Sequence, residues 1–193
     1  MRLNLARLIQ LPGTFDDKAA DSATHLICLV PPGFDVARLP YGTTLKQRLR
    51  THRHKLSGEH PFHTQLPNPQ GSRLALMVIE PGQSNFELLT LAREILAALR
   101  PPAPENLTLV CFGLGAREAE RGGEAVIAAA LAADFAMPDF KTKKETVTHL
   151  KSIRTIGHVA RHGYARTLAA ARGNNLARWL TAQPPNALTP GNY

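Results

Sequence analysis

The sequence is poor in cysteine and in aromatic residues. There are two cysteines among 193 residues, and aromatic side chains make up 6% of the chain. Cys28 and Cys111 each lie inside an apolar run (LICLV and LTLVCF), which predicts buried free thiols in strands and argues against a disulfide framework. Tyr164 is the one aromatic residue in the two basic stretches, 46–55 and 141–178, so the stacking platform of a nucleic-acid binder is not expected.

Long apolar runs are also missing. The longest apolar stretch of helical character, residues 125–137, contains Asp134 and is shorter than the ~20 residues of a membrane span. Arg2, Asn4 and Arg7 interrupt the apolar residues at the N-terminus, a pattern unlike that of a signal peptide. We therefore expect a cytoplasmic, reduced protein with no membrane partner.

Acidic residues are the scarcer charge. Lys and Arg number 23 against 15 Asp and Glu, giving a formal net charge of +8. Nine basic residues and one acid, Glu145, lie between Lys141 and Arg178, and a second basic stretch runs from Lys46 to Lys55. A basic face can attract nucleic acid. We favour a solvated face, or one that meets an acidic neighbouring domain, and keep nucleic-acid binding through the first stretch as the weaker alternative.

Short apolar runs alternate with amphipathic segments along the chain. HLICLV (25–30), RLALMVIE (73–80) and LTLVCF (107–112) are mostly apolar and each is followed by Pro or Gly, which is typical of strands buried on both faces. Strands alternating with helices predict an α/β fold in three layers, with a mixed sheet flanked by helices. Weaker patterns predict further strands at 2–9 and 146–156, helices at 43–56, 85–100, 123–136 and 158–182, and a loop over 57–72.

Helix boundaries are clearest around Ser84. Glu87 follows it by three residues, which is the spacing of a capping box, and Pro101-Pro102 should end the same helix. For the long helix predicted at 158–182, the expected apolar anchors are Leu168, Leu176, Trp179 and Leu180.

The C-terminal part of the sequence resembles a known family. Residues 175–180 (NLARWL) and 183–190 (QPPNALTP) closely resemble the "N-L-A-R-x-L … P-P-N-x-L-T-P" segment that joins the two domains of leucyl aminopeptidases, a family of metallo-exopeptidases. Residues 134–144 (DFAMPDFKTKK) are similar, more weakly, to the family's "Y-R-F-x-x-Y-K-S-K-K" stretch, with Phe135 and Phe140 standing for the aromatics. Over residues 1–130 only the architecture is compatible.

The resemblance implies a domain organisation and a role. It implies a macro-domain-like fold for residues 1–156, a linker helix over 157–183, and the first residues of a catalytic domain at 184–193. In this family the catalytic domain binds two divalent metals, zinc or manganese, which activate water, and the full-length proteins form hexamers. The family's NTDAEGR motif is absent from this sequence. The resemblance therefore implies a non-catalytic regulatory or assembly domain whose partner is the catalytic domain of the same polypeptide.

Two details at the C-terminus bear on this reading. Trp179 departs from the acidic residue often seen at its position in the family, and we interpret it as an apolar anchor. Thr189-Pro190 is typical of a helix start, yet three residues remain after it. We therefore expect the chain to continue into a catalytic domain.

One glycine-rich loop raises the alternative of a stand-alone, macro-type ligand-binding module. Gly113-Leu114-Gly115 follows a predicted strand, as a phosphate-binding loop would. A dinucleotide fingerprint, however, needs glycine where Glu118 stands, and Glu118 with Glu120 would repel phosphate. Gly122-Gly123 could still begin the next helix and offer free N–H groups. We favour a plain loop, with ADP-ribose binding as the alternative.

The remaining candidate residues do not form a recognisable catalytic set. No Gly-x-Ser-x-Gly elbow is present, and we interpret Asp16-Asp17 as turn residues. His158 and His162 have the spacing of a zinc helix, but Val159 stands where the general base belongs, so we expect surface histidines. We assign no catalytic, cofactor-binding or metal-binding residue. The histidines that could ligate zinc, but lie among cations that disfavour it, are His52, His54, His60 and His63.

Overall fold

The computed structural model describes residues 5–137 and 148–184. Their elements alternate between strands and helices, with one short 3₁₀ turn at Val36–Arg38. The strands are β1 Arg7–Leu11, β2 His25–Val30, β3 Phe62–Gln65, β4 Arg73–Val78, β5 Asn106–Cys111 and β6 Ser152–Ile156. The helices are α1 Asp17–Ser22, α2 Gly42–Thr51, α3 Asn85–Ala98, α4 Ala116–Asp134 and α5 Ala165–Thr181.

The strands form one mixed sheet in the order β1-β6-β5-β2-β4-β3. The first five strands in that order are parallel to one another. At the edge, β3 pairs antiparallel with β4. In the centre, β2 pairs with β5 on one side and with β4 on the other, and all six of its residues are buried. Parallel strands need crossover connections that place helices on the faces of the sheet.

Side chains from the two faces of the sheet enter separate apolar clusters. Ile27 and Leu29 of β2 pack with the apolar faces of α3, α4 and α5. Leu26 and Cys28, on the opposite face of the same strand, pack with residues of α1, α2 and the 3₁₀ turn. Strand side chains alternate in direction, so one strand supplies both clusters. The predicted α/β class, a mixed sheet flanked by helices in three layers, is confirmed.

The capping box predicted at the start of α3 is present. The Glu87 backbone N–H donates to Ser84 Oγ at 3.2 Å, and the Ser84 backbone N–H donates to Glu87 Oε2 at 2.6 Å. Both bonds satisfy N–H groups that lack partners within the first turn of the helix. The Ser84 hydroxyl and N–H lower the pKa of the Glu87 carboxyl.

Two elements were missed because their sequences resemble turns. The predicted loop over 57–72 contains β3, in which Phe62 is buried and His63 is exposed. Prolines at 61 and 67 flank it without interrupting it, as is allowed beside an edge strand. Asp16, interpreted as a turn residue with Asp17, is the N-cap of α1 and accepts the Ala19 N–H at 2.8 Å.

The helix predicted at 123–136 begins earlier, at Ala116. The prediction that Gly122-Gly123 begins it is therefore wrong, since both glycines are buried inside α4. A Cβ added at Gly122 would lie 2.9 Å from Leu29 Cδ1. A Cβ at Gly123 would collide with the Tyr164 hydroxyl and lie 3.0 Å from Tyr164 Cζ. The two glycines let α4 approach the sheet and Tyr164 closely, which outweighs their poor helix propensity.

The last strand and helix are shorter than predicted. In the described residues β6 starts at Ser152 and α5 at Ala165. The first strand, predicted to end at residue 9, continues to Leu11. Tyr164 precedes α5 in a left-handed conformation, with φ of 58°. Of the predicted anchors of α5, Leu168 is partly buried against the core, whereas Leu176 is 39% exposed. The buried residues of the helix are Ala171 and Asn175.

We predict opposite effects for alanine at two helical glycines. Gly173, in α5, has no neighbouring atom within 4 Å of an added Cβ, so Gly173→Ala should stabilise the protein by ~1 kcal/mol through helix propensity. Gly123→Ala should cost more than it gains, because overpacking against the buried Tyr164 ring costs ~1–3 kcal/mol. Urea unfolding measures both free energies. Equal stabilisation by the two variants would contradict the packing role of Gly123.

A second prediction concerns His25 at the start of β2. Its side chain is buried between Thr24 Oγ1 and the Pro102 carbonyl oxygen, each 3.2 Å from a ring nitrogen. Burial lowers the pKa of His25 below 6.5, with Arg73 also lowering it. The folded state therefore takes up this proton less readily than the unfolded state. The His25 contribution to stability is complete above pH 6.5 and declines as pH falls through the folded pKa.

The measurement is the free energy of unfolding between pH 7.5 and 5. His25→Gln keeps a donor for Pro102 but cannot titrate, so its stability should fall less steeply with acidification than that of the parent. His63→Gln, an exposed position on β3, serves as the control. If the free energy of unfolding fell with pH as steeply in His25→Gln as in the parent, His25 would not be the group responsible.

Candidate functional site

Ligands of open α/β sheets bind at the carboxyl ends of the parallel strands. The chain leaves β2 through Pro31-Pro32 and leaves β5 through Phe112-Gly113. The Phe112 ring packs against Phe15 and Phe34, with centroids 6.1 and 6.0 Å apart. The rings lie where the connections from two adjacent strands turn in opposite directions. The chain leaves β2 towards β4 and leaves β5 towards β6.

The glycine loop after β5 does not present a free helix end. Gly113 has a φ of 64°, and Gly115 is the N-cap of α4 with no side-chain cap. Glu118 Oε2 lies 2.7 Å from the position that a Cβ on Gly115 would take. A carboxylate of the chain thus stands beside the N-terminus of α4, where a bound phosphate would have to lie. This geometry favours the plain loop that we predicted.

Buried polar groups lie under the same edge of the sheet. The hydroxyls of Thr155 and Tyr164 make no hydrogen bond to a described protein group. Burial raises the pKa of Tyr164, and the nearby Cys111, Glu120 and Glu124 raise it further. The Tyr164 phenol is therefore neutral across the physiological range and cannot act as a base.

The two thiols are poor nucleophiles. Cys28 and Cys111 are both free, as predicted. They lie on paired strands, where Cys28 opposes Val110 and Cys111 opposes Leu29, so their side chains enter opposite faces of the sheet. Burial raises the pKa of each thiol to about 12. At neutral pH a thiolate, the reactive form, is scarcely populated.

The candidate histidines do not form a cluster. His54 Nε2 lies 3.1 Å from the His60 carbonyl oxygen, and the His54 ring is 5.3 Å from that of Phe62. His158 and His162 lie in the segment between β6 and α5, so the prediction that they share a helix is wrong. Within residues 5–137 and 148–184, no group of three His, Cys, Asp or Glu side chains is placed to hold a metal ion.

The basic stretches contain few ion pairs. In the stretch from Lys46 to Lys55, Lys46 lies 3.6 Å from an Asp35 carboxylate oxygen, and Arg48 donates to Thr64 Oγ1 at 2.6 Å. These contacts tie α2 to its neighbours. Lys141, which begins the other stretch, lies outside the described residues together with Lys143 and Lys144. Nucleic-acid binding through that stretch stays a prediction.

A groove of about 670 Å³ lies between three helices of the described residues. That volume is in the range of ligand-binding clefts. The groove was not predicted from the sequence, because the helix patterns do not say how the three helices lie relative to one another. We call it the α3/α4/α5 groove. Its lining residues are Asn85, Leu88 and Leu89 from α3, Arg121, Glu124, Ala125, Ala128 and Ala132 from α4, and Arg166, Thr167, Ala170, Ala171, Asn174, Asn175, Ala177 and Arg178 from α5.

The charge of the α3/α4/α5 groove is positive. Three arginines line it, and Glu124 is its one acid. Arg121 donates to the Gln83 carbonyl oxygen and, at 3.2 Å, to Asn85 Oδ1. Arg178 donates to the Ala132 carbonyl oxygen at 3.1 Å. Since these acceptors are neutral, they orient the guanidinium groups without cancelling their charge. Arg166 and Arg178 belong to the basic stretch from Lys141 to Arg178, which was a visible signal in the sequence.

No helix in the described part of the chain is both long enough and apolar enough to cross a membrane. The cytoplasmic location stays a prediction.

Comparison with known proteins gives a similarity of fold. No family model matches the sequence, and no curated protein matches it either. Among solved structures, the chain is similar to a tomato leucine aminopeptidase carrying the K354E mutation, with 17% sequence identity and a TM-score of 0.58. The match covers 96% of this chain and 40% of that one, so the chain spans less than half the length of the aminopeptidase. At this identity the likeness shows the fold: the sheet and its flanking helices are arranged as in part of a leucine aminopeptidase.

Proposed function

We propose that this chain is the non-catalytic N-terminal domain of a leucyl-aminopeptidase-like metallo-exopeptidase. In this proposal it positions or regulates a catalytic domain of the same polypeptide, which binds two zinc or manganese ions and removes N-terminal residues from peptides. The full-length parent would be a hexamer. The chain itself would supply neither a metal ligand nor a catalytic side chain.

The similarity of fold carries the proposal, and the sequence supports it independently. The fold is similar over 96% of the chain to part of a leucine aminopeptidase, and the sequence resembles that family at residues 175–190. The two observations are of different kinds, because one compares the course of the backbone and the other compares residue types at fixed spacing. A shared fold without such a motif would carry no function.

The exposed side of α5 supports a role next to another domain. Ala169, Arg172 and Leu176 follow one another at helical spacing and are all exposed. Leu176 belongs to the segment that resembles the family. It is exposed, so packing within the described residues does not explain why a leucine stands there. In the proposal, this side of α5 faces the catalytic domain.

The first test is a peptidase assay on the purified chain. We expect no hydrolysis of leucyl-p-nitroanilide with added Mn²⁺ or Zn²⁺, because the described thiols, histidines and carboxylates form no two-metal centre. Tomato leucine aminopeptidase, assayed alongside, is the positive control. Metal-dependent turnover that copurifies with the chain through two chromatographic steps would contradict the non-catalytic assignment.

The second measurement concerns the parent protein. An antiserum raised against this chain should detect, in cells that express it, a polypeptide more than twice as heavy as 21.0 kDa. That polypeptide should elute with metal-dependent leucyl-p-nitroanilide activity. Detection of the larger polypeptide in fractions without this activity would overturn the proposed enzyme class.

A further inference from the structure

The floor and one wall of the α3/α4/α5 groove consist mainly of small side chains. On α4, Ala125, Ala128 and Ala132 follow one another at helical spacing, and on α5 Ala170 and Ala177 do the same. Small residues let another backbone approach closely, at the 8–10 Å that separates the axes of packed helices. The α5 wall from residue 166 to 178 is about 18 Å long at 1.5 Å per residue, the length of a three-turn helix.

The arginines lie at opposite ends of the groove. Arg166 is in the first turn of α5 and Arg178 in its last, so ~18 Å of helix separates them. Among the described residues, neither arginine has a carboxylate within salt-bridge distance, and the same holds for Arg121. Groups this far apart cannot converge on a single phosphate or carboxylate. They suit an extended ligand that bears an anionic group near each end.

Apolar surface on the same side of the molecule is not covered by residues 5–137 and 148–184. Of the 17 residues of α5, only Ala171 and Asn175 are buried. On the opposite wall, Leu89 is 36% exposed. Covering this surface would be favourable, at ~25 cal/mol for each Å² of apolar area removed from water. The groove therefore combines an apolar floor with positive charge at its ends.

From these observations we propose that the α3/α4/α5 groove binds an acidic amphipathic helix of a partner protein. The apolar side of the helix lies on the alanines of α4, and its carboxylates meet Arg121 and Arg166 at one end and Arg178 at the other. This is recognition of a helix by a groove. The inference does not depend on the aminopeptidase assignment, because it uses only the lining residues and their charges.

The binding experiment uses two synthetic peptides. Each is a fluorescein-labelled, 15-residue helix with the same Ala/Leu side, and the polar side carries Glu in one and Lys in the other. Fluorescence anisotropy against the full chain should show micromolar binding of the Glu peptide and at least about tenfold weaker binding of the Lys peptide. The affinity for the Glu peptide should also fall as salt is raised.

Matched variants test the location. Arg166→Glu should weaken binding of the Glu peptide about tenfold, whereas Arg172→Glu, on an exposed part of α5 outside the groove, should change it less than about twofold. Ala170→Gln fills the groove without charge and should also weaken binding. Ala169→Gln, its exposed neighbour outside the lining, should leave binding unchanged. All four side chains are exposed, and circular dichroism with a thermal melt checks each fold.

Three outcomes would overturn the proposal. They are equal affinity for the Glu and Lys peptides, no binding of the Glu peptide at millimolar concentration, and equal losses from the groove variants and their controls. Sedimentation equilibrium tests whether a second copy of this chain occupies the groove. Self-association that Ala170→Gln abolishes and Ala169→Gln preserves would assign the groove to a second copy of this chain, and would also reject the proposal.

Discussion

Burial of β2 on both faces is the constraint on which the fold depends. Every residue of β2 is buried, and the strand pairs with β4 and β5 in parallel. Such a strand is stable only if apolar layers cover both faces of the sheet, since each face carries large apolar side chains. The parallel pairings in turn require long crossings, and their helices are what supplies those layers. The two clusters around Ile27 and around Leu26 are therefore consequences of one short sequence, HLICLV.

The side of the sheet that carries α3, α4 and α5 is the more crowded one. The glycines at 122 and 123 let α4 pack close to Leu29 and to Tyr164, and α4 contributes three alanines to the groove lining. Tyr164, in turn, fixes where α5 begins, because its ring is buried while its backbone is left-handed. The α3/α4/α5 groove is thus a result of close packing at α4. Larger residues at 122 and 123 would move α4 outward and make the groove shallower.

The sequence predicted best where one physical signal was decisive. The three central strands and the capping box at Ser84 were correct, because continuous apolar runs and a short-range cap depend little on tertiary context. It failed where tertiary packing overrode propensity. Gly122-Gly123 indicated a helix start, but their small size serves helix–sheet contact. The prolines around β3 indicated a loop, yet the edge of a sheet tolerates them. The groove was beyond prediction, since it depends on the relative positions of three helices.

Residues 175–180, the first part of the segment that resembles the family, lie on α5, where only Ala171 and Asn175 are buried. In an isolated domain, core packing constrains few positions of such a helix, because only these two are buried. Asn175 is buried, but Leu176 is not, so core packing cannot explain the whole pattern. At 100° of rotation per residue, the α5 residues that line the groove fall on one side of the helix. Leu176 falls on the other side. A helix with two uncovered sides can therefore contact two neighbours at once. Under the two proposals, one neighbour is the adjoining catalytic domain and the other is an acidic helix, and neither contact obstructs the other.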